Sequence, residues 1–426
     1  MLNLVEIFLI KRLKEKLRHR QNLKAHLWQS GANYVQQGSA LVMSMVLARL
    51  LTPEHFGQFA FAMAYVQLSF MPISFGLDQL LVSKGKNEGD YPKVMTVAYL
   101  LTALGIMIIA GLAVWLHGAG KDLTAALCVL YGLPEALAPV LNAIKGDLEG
   151  SGNFRQNMEG LLWSQGAGFV AAVVGALSGL GVYALCVPAW LTVLSRILVY
   201  RRYATRRMFP TPVFSGLREI GFHGAGLWLN NAAQIGMSRI DKWFIGTYTG
   251  TEALGYYNRA FNYAPLSQMF LMSLTTNPSV AALARMESGE QQKRYLAKIT
   301  TISLGSGALS FLVWFFGAQY LVVWMFGGQW IDAIPVFKAL AALAFFQSFL
   351  GLPRTVCMAY RRYVYMGVVR VFSLLGIFLV LFFLKDVLSK SIFLVAYLVQ
   401  LECLIEGLFL WAGAIFYING RRNEIR

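Results

Sequence analysis

The sequence predicts an all-helical membrane protein of about twelve transmembrane helices, arranged as two parallel-repeat lobes of six helices around a central cavity. Three observations predict it: the hydrophobic composition, an internal repeat and the one-sided placement of positive charge. Of the 426 residues, 57% are hydrophobic and only 14% are charged. A soluble globular protein of this length is less apolar than that, so the chain is expected in a bilayer.

Apolar segments long enough to cross a bilayer recur along the whole chain. A spanning helix needs about 20 mainly apolar residues. Twelve segments meet this requirement: Leu27–Ala48, Gln58–Val82, Val94–Leu116, Leu123–Ile144, Leu161–Leu180, Val182–Tyr200, Gly224–Ile245, Leu254–Val280, Ile299–Val322, Ala333–Leu352, Val364–Leu384 and Ile392–Tyr417. The first and the seventh are the most polar, and we expect a strict hydropathy cutoff to miss them.

An internal repeat relates the two halves of the chain by a shift of 198 positions. The identical pairs are Asn33/Asn231, Gln36/Gln234, Glu54/Glu252, Gly57/Gly255, Ala62/Ala260, Tyr65/Tyr263, Leu68/Leu266, Ser69/Ser267 and Met71/Met269. With six spans in each half, the second copy enters the membrane in the same direction as the first. The repeats are therefore predicted to be parallel and related by an axis along the membrane normal.

Positive charge is concentrated in the segments that lie on one side of the predicted membrane. The net charge is +16, and most of the 37 Lys and Arg residues fall on the side of the two termini. This asymmetry is the positive-inside signal of a multi-pass protein of the cytoplasmic (inner) membrane with both termini cytoplasmic. It argues against a nucleic-acid partner. The predicted outside segments hold Arg49, Lys121, Lys385 and Lys390.

The polar interruptions divide the chain into five parts. Residues 1–24 are predicted to form a basic amphipathic helix on the cytoplasmic lipid surface. Residues 25–200 form the first lobe, 201–219 a cytoplasmic connector rich in Arg and Pro, 220–420 the second lobe and 421–426 a cytoplasmic tail. The cysteines have no paired spacing, so neither a disulfide framework nor a metal site is expected.

Two regions carry a resemblance to a known family. They are Ala48–Gly57 after the first span, and Asp241–Gly246 with Leu254–Ala260 after the seventh. The chain resembles the polysaccharide flippases, which are related to the multidrug and toxic-compound extrusion (MATE) transporters. The resemblance implies a two-lobed, MATE-like fold that moves undecaprenyl-diphosphate-linked oligosaccharide from the inner to the outer leaflet. It also implies a role in lipopolysaccharide or exopolysaccharide biosynthesis, beside a polysaccharide polymerase and export machinery.

Charged residues inside predicted spans are candidates for substrate binding, because each is costly in a bilayer. Arg239 and Lys242 lie three residues apart and are expected to share a helix face, with Asp241 pointing elsewhere. Together with Arg259 and Arg370 they offer donors for a lipid diphosphate. The alternatives are an internal ion pair of Asp241 with Arg259 or Arg239, and snorkelling of Arg370 towards the cytoplasm.

Acidic residues inside spans are candidates for coupling transport to H⁺ or Na⁺. These are Asp78 and Glu135 in the first lobe, and Asp241 with the same-face pair Glu402 and Glu406 in the second. Each is a candidate for titration when desolvated, and each is equally able to neutralise a nearby Arg. No cofactor is expected, since no metal spacing, phosphate-binding Gly loop or Ser/His/Asp arrangement occurs.

Polar side chains form a stripe at helical spacing on the first and seventh spans. Asn33, Gln36, Asn231 and Gln234 are predicted to line the cavity from both lobes and to bind sugar hydroxyls. The alternative is hydrogen bonding between neighbouring helices. Glu54 and Gly57, with their copies Glu252 and Gly255, are expected to fix short outer turns.

The sequence therefore predicts a transporter without enzymatic activity, a flippase working by alternating access in a membrane whose lipids surround it. A cation-coupled drug exporter of the MATE type is the alternative within the same fold. The excess of Arg and Lys over acid in the candidate cavity disfavours it. A membrane sugar polymerase or ligase is the alternative from another class, and the short outer loops disfavour that one.

Overall fold

A computed structural model describes residues 37–84, 90–150, 154–203, 208–215, 217–266, 289–360 and 362–424. Every regular element among these residues is helical. Two predicted cavity residues, Asn33 and Gln36, and the predicted surface helix of residues 1–24 lie outside the described residues.

The first lobe is built from eight α-helices. They are α1 Gln37–Leu50, α2 Pro53–Ser69, α3 Leu77–Lys84, α4 Asp90–Gly118, α5 Asp122–Ala136, α6 Ala138–Gly150, α7 Phe154–Leu177 and α8 Val187–Tyr203. Short 3₁₀ turns at Met71–Ile73 and Gly181–Leu185 join α2 to α3 and α7 to α8. Thr52 caps α2, because its hydroxyl accepts a hydrogen bond from the backbone N–H of His55.

The second lobe is described apart from residues 267–288 and 361. Its helices are α9 Leu217–Tyr248, α10 Thr251–Tyr263, α11 Gly289–Phe326, α12 Ile334–Leu340, α13 Leu343–Ala359, α14 Tyr363–Phe383, α15 Lys385–Leu388 and α16 Ile392–Glu424. A 3₁₀ turn at Gly328–Ala333 precedes α12.

Seven described helices are long and apolar enough to cross a bilayer, or nine when each of two bent helix pairs is counted as one span. α9 is not among these spans, although its 32 residues are ample for crossing. Its polar residues, among them Asn230, Asn231 and Gln234, lower its hydropathy. The prediction that a hydropathy cutoff misses the seventh span is confirmed.

Among the described residues, two of the predicted spans are bent by more than 40° where the sequence suggested one continuous helix. The second bends by 54° between α2 and α3, and the tenth bends by 46° between α12 and α13. The fourth is divided at Leu137 into α5 and α6. In the second span, Pro72 lacks the N–H that a continuous helix would need, and in the fourth Pro134 lies in the last turn of α5.

The lobes meet where the first turns of α2 and α10 cross. A Cβ placed on Gly57 would overlap the carbonyl oxygen of Thr251, and one on Gly255 would overlap that of Pro53. Because Gly57 and Gly255 are equivalent in the repeat and touch each other's helix, the crossing lies on the axis that relates the lobes. Both glycines lie inside helices, so the expectation that they shape outer turns is wrong.

Hydrogen bonds beside this crossing also join the lobes. The carbonyl of Ala48 at the end of α1 accepts the indole N–H of Trp330 at 2.9 Å, and the side-chain amide of Gln329 reaches the carbonyl of Leu51 at 3.2 Å. Phe56 packs against Trp330 with ring centroids 5.6 Å apart. We call the Gly57/Gly255 crossing together with these contacts the seal.

Candidate functional site

A cavity of about 400 Å³ lies between the lobes. It is lined on one side by α2, α3, α5 and α6 and on the other by α9. Gln67, which borders it, is ten residues along α2 from Gly57, so the cavity begins about 15 Å from the seal. The predicted site residues that line it are Asp78, Glu135, Asn231 and Gln234.

The carboxylate of Asp78 is paired inside this cavity. Its Oδ2 accepts a hydrogen bond from the ammonium of Lys145 on α6 at 3.1 Å, with both side chains partly exposed. The pair holds α3 against α6. Asp78 therefore neutralises a neighbouring cation, which was one of its two expected roles, and it also presents a charged pair to the cavity.

Arg239 connects the two lobes at the cavity wall. Its Nε donates to the side-chain oxygen of Gln67 at 2.5 Å, and Gln67 in turn donates to the hydroxyl of Tyr131 at 2.9 Å. Glu135 interacts with Tyr131 and with the charge of Arg239. The guanidinium is half-buried, reaches the cavity wall through Gln67, and has donors beyond the one that Gln67 occupies.

Asn231 is a second link between the lobes. Its side-chain amide donates to the carbonyl of Ser74 in the first lobe at 3.4 Å. One turn earlier on α9, the indole N–H of Trp228 donates to the carbonyls of Met71 and Pro72, both at 3.1 Å. The Met71 carbonyl also accepts from the backbone N–H and the hydroxyl of Ser74, at 3.4 and 2.7 Å, so Trp228 adds a contact from α9 to carbonyls at the bend between α2 and α3.

Lys242 does not face the cavity. It is 1% exposed, and its ammonium donates to both oxygens of Asp241 at 3.3 and 3.4 Å and to the carbonyl of Ser238 at 2.9 Å. The ammonium also lies 3.6 Å from the ring centre of Phe261, and Tyr257 donates to Asp241 at 2.6 Å. The expectation that Lys242 shares a face with Arg239 while Asp241 points away is wrong, because packing turns Lys242 towards Asp241.

Arg370 is likewise held inside the second lobe. Its Nε donates to Glu406 at 3.2 Å and its Nη1 to Asn230 on α9 at 2.7 Å. Arg354 on α13 donates to both oxygens of Glu406, at 2.9 and 3.0 Å. Glu406 is fully buried and paired with two guanidinium groups, so neither it nor Arg370 is free for substrate. Snorkelling of Arg370 is also wrong, since the side chain is 4% exposed.

Glu402 lies one turn before Glu406 on α16, so the two share a helix face as predicted. It borders an apolar groove of about 490 Å³ between α14 and α16. Its side chain is nine-tenths buried, and its Oε1 has no hydrogen-bond partner.

Arg259 lies in a second space between the lobes, formed by α1, α10 and α13. This lateral cavity has a volume of about 570 Å³. The guanidinium donates to the hydroxyl of Ser44 on α1 and stacks 3.7 Å from the ring centre of Phe56. Its Nε and Nη2 are buried without a hydrogen-bond partner among the described residues. Asp241 pairs with Lys242 and not with Arg259, so that expected ion pair is not formed. The polar residues that also line the lateral cavity are Gln37, Asn262 and Gln347.

The structure thus separates the four predicted cations. Arg239 contacts Gln67 at the wall of the interlobe cavity, Arg259 borders the lateral cavity, and Lys242 and Arg370 are internal. Three residues near the interlobe cavity were not predicted: Gln67, which lines it, and Tyr131 and Lys145, which are hydrogen-bonded to the lining residues Gln67 and Asp78. Gln67 carried one signal, a polar residue within a long apolar stretch and near a Pro that bends the span.

Two parallel lobes that enclose polar space and close against each other at one end define a multi-pass membrane protein with a transporter fold. A family model described as polysaccharide biosynthesis protein matches residues 46–335. The chain belongs to this polysaccharide biosynthesis protein family.

A curated relative is the succinoglycan biosynthesis transport protein ExoT of Rhizobium meliloti (strain 1021). It is 27% identical over 323 residues, which are 71% of this chain and 62% of that protein. The chain therefore spans less than two thirds of the length of this relative.

Solved structures share the fold. The lipid II flippase MurJ in an inward closed conformation is similar with a TM-score of 0.68 at 13% identity, over 91% of this chain and 87% of that one. An inward-facing MATE family transporter of the MOP superfamily is similar with a TM-score of 0.67 at 15% identity, over 91% and 96%. These likenesses establish the MATE-like fold class that the sequence predicts.

Proposed function

We propose that the protein is a flippase that moves undecaprenyl-diphosphate-linked oligosaccharide from the inner to the outer leaflet of the cytoplasmic membrane by alternating access. The observation that carries this proposal is the polar interlobe cavity, closed at one end by a seal that glycine makes possible. A cavity closed at one end and built between two lobes suits a substrate that is taken up on one side and released on the other.

Polar groups at the interlobe cavity fit both parts of such a substrate, the diphosphate and the sugars. Arg239 offers charge-assisted hydrogen bonds to a diphosphate. Asn231, Gln234 and Gln67 offer amide donors and acceptors to sugar hydroxyls. Lys242 and Arg370 have structural roles in this proposal, because their charges are already paired.

The lateral cavity supplies a route for the lipid. This cavity lies between α1 and α10, and apolar residues such as Leu41, Met43 and Leu266 line it beside Arg259. A polyprenyl tail is as apolar as the surrounding lipid, so it has no reason to enter the polar cavity. In our proposal the tail stays in the bilayer while the headgroup passes between the lobes.

On the predicted topology, with both termini cytoplasmic, the seal lies at the outer side. Substrate would then enter the cavity from the inner side, where it is synthesised. Rocking of the lobes would open the seal and release the substrate on the outer side. A polysaccharide polymerase and export machinery are the proposed partners downstream. The transport step itself requires no bond to be made or broken, so no catalytic residue is proposed.

The experiment is translocation in proteoliposomes. Purified protein is reconstituted with undecaprenyl-diphosphate-linked oligosaccharide whose sugar carries a fluorophore, and a membrane-impermeant reductant then bleaches the label in the outer leaflet. We expect bleaching to continue beyond the outer-leaflet fraction only when the protein is present. Arg239→Ala should slow it, whereas Arg201→Ala, which removes an exposed cation at the end of α8, should not.

The same vesicles test the alternative of a drug exporter. Accumulation of a cationic dye without movement of the lipid-linked sugar would replace the proposal with a cation-coupled exporter. Cleavage or extension of the sugar would instead favour a polymerase or ligase.

A further inference from the structure

Glu402 is a buried carboxyl group with an unsatisfied oxygen. It is 9% exposed, and its Oε1 makes no hydrogen bond to any described residue. An ionised carboxylate in this position would lack the partners that repay its desolvation, whereas a protonated carboxyl is neutral and tolerates an apolar wall. The observed position of Glu402 therefore fits the protonated form.

The neighbours of Glu402 favour the ionised form when the carboxyl turns towards them. The titratable and charged groups that act on it are Arg354 from α13, Arg370 from α14, and Glu406 and Cys403 from α16 itself. Arg354, whose side chain is 25% exposed, and Arg370 share one carboxylate, that of Glu406, so among the described residues this cluster of three side chains carries one more positive than negative charge. An ionised Glu402 would cancel that charge. The site is therefore compatible with a protonated carboxyl that faces the groove and with an ionised carboxylate that faces the arginines.

The cluster reaches the lobe interface through two consecutive residues of α9. Arg370 donates to Asn230 at 2.7 Å within the second lobe. The next residue, Asn231, donates to Ser74 of the first lobe and lines the interlobe cavity. If Glu402 competes for Arg370, the Arg370–Asn230 bond weakens, and α9 changes its position against the first lobe.

The groove beside Glu402 suits a proton better than a metal ion. Among the residues that line it, Ser373 is the only other one with a side-chain oxygen, and the rest are apolar. Hard cations require several oxygen ligands. A proton requires only the carboxylate, with which it forms one O–H bond.

We propose that Glu402 is the proton-binding group that couples a pH gradient to the movement of the two lobes. The proposal rests on the flippase function above and names its driving ion. In each cycle the Glu402 carboxylate takes one proton from water, turns towards the groove and releases Arg370 to Asn230. Loss of the proton returns the carboxylate to the arginines.

The first test measures movement of the lobes without any substrate. Cysteines replace the exposed residues Ala119 in the first lobe and Asp332 in the second, both at the seal end, and spin labels on them report the distance across the seal. We expect the distance distribution to change over a pH titration in the wild type and to be insensitive to pH in Glu402→Gln. Asp386→Asn removes an exposed carboxylate from the same lobe and should behave like the wild type.

The second test measures translocation under an imposed pH gradient. The gradient should accelerate wild-type and Asp386→Asn flipping by about five- to 150-fold, the usual range of coupling between two sites, and should leave Glu402→Gln unchanged. Should Glu402→Gln not elute as a folded species, Glu402→Met takes its place as a variant of similar size.

The outcomes separate this inference from the function on which it rests. A folded Glu402→Gln or Glu402→Met protein that keeps the wild-type pH response overturns the role of Glu402, as does a wild type that shows none. A wild type that does not move the lipid-linked sugar overturns the proposed function. In that case a pH-dependent distance that is lost in Glu402→Gln would still support a proton switch at this position.

Discussion

Gly57 and Gly255 occupy equivalent positions in the two repeats and are packed against each other's helix at the seal. Each would place a Cβ on a backbone carbonyl oxygen of the opposite lobe, at Thr251 and Pro53 respectively. A backbone atom cannot move aside by a change of rotamer. The closed seal therefore depends on the absence of two side chains.

Replacing either glycine with Ala should open the seal. Overpacking of this kind costs about 1–3 kcal/mol, which shifts the closed population by roughly five- to 150-fold. The spin-label distance between positions 119 and 332 measures this shift. The matched control is Gly111→Ala on α4, where a Cβ meets no atom within 4 Å. If Gly57→Ala and Gly111→Ala give the same distance distribution, the crossing does not control closure.

The hydrogen bond from Trp330 to Ala48 should stabilise the closed seal. Trp330→Phe removes the indole N–H but keeps a ring against Phe56, so the expected loss is about 1 kcal/mol, or roughly fivefold in the open population. A cysteine at Leu47, which is 2% exposed, reports opening by its rate of reaction with a membrane-impermeant thiol reagent. The control is Trp324→Phe, since Trp324 is 67% exposed. Equal rates in both variants would show that this bond contributes nothing to closure.

The Lys242–Asp241 pair should behave as a structural unit. Lys242→Met leaves a buried carboxylate without its cation and should destabilise the protein by about 3–5 kcal/mol. Adding Asp241→Asn removes the orphaned charge and should restore most of that loss. Thermal unfolding of the four proteins in detergent completes a double-mutant cycle. Additive losses of stability would mean that the two side chains do not interact. In a separate transport assay, activity of the double variant would exclude Lys242 as a substrate ligand.

Glu406 and Glu402 should differ sharply in their effect on stability. Glu406→Gln deprives Arg354 and Arg370 of their shared carboxylate, so we expect a loss of about 3–5 kcal/mol. Glu402→Gln should cost no more than about 1 kcal/mol, because the unpaired carboxyl contributes no hydrogen bond through Oε1. Thermal unfolding of both variants at one pH checks the ranking. Similar losses would show that Glu402 is also held by the arginines.

The sequence predicted the architecture because that information is local and repetitive. Span length and the 198-residue repeat identify the lobes, and the polar residues of α9 show why hydropathy alone fails there. The bends were not predicted, since Pro72 is compatible with a kinked continuous helix as well as with a break. At the break, Trp228 binds the carbonyls of Met71 and Pro72 from 156 positions or more along the chain, a contact that no local pattern reveals.

The candidate site was predicted less well because its charges are partnered over long sequence distances. Arg354 and Glu406 are 52 positions apart, and Arg370 and Asn230 are 140 apart. Periodicity places residues on a helix face but does not reveal which helix faces them. Asn231 and Gln234 were placed at the cavity by the repeat, whereas Lys242 was assigned to it by spacing alone.

The contact between Gly57 and Gly255 is self-complementary, since one sequence element makes it with its own copy. A six-helix ancestor bearing this glycine would have had a ready means of pairing side by side with an identical chain in the same orientation. Gene fusion would then have joined the two copies without requiring any new contact to evolve.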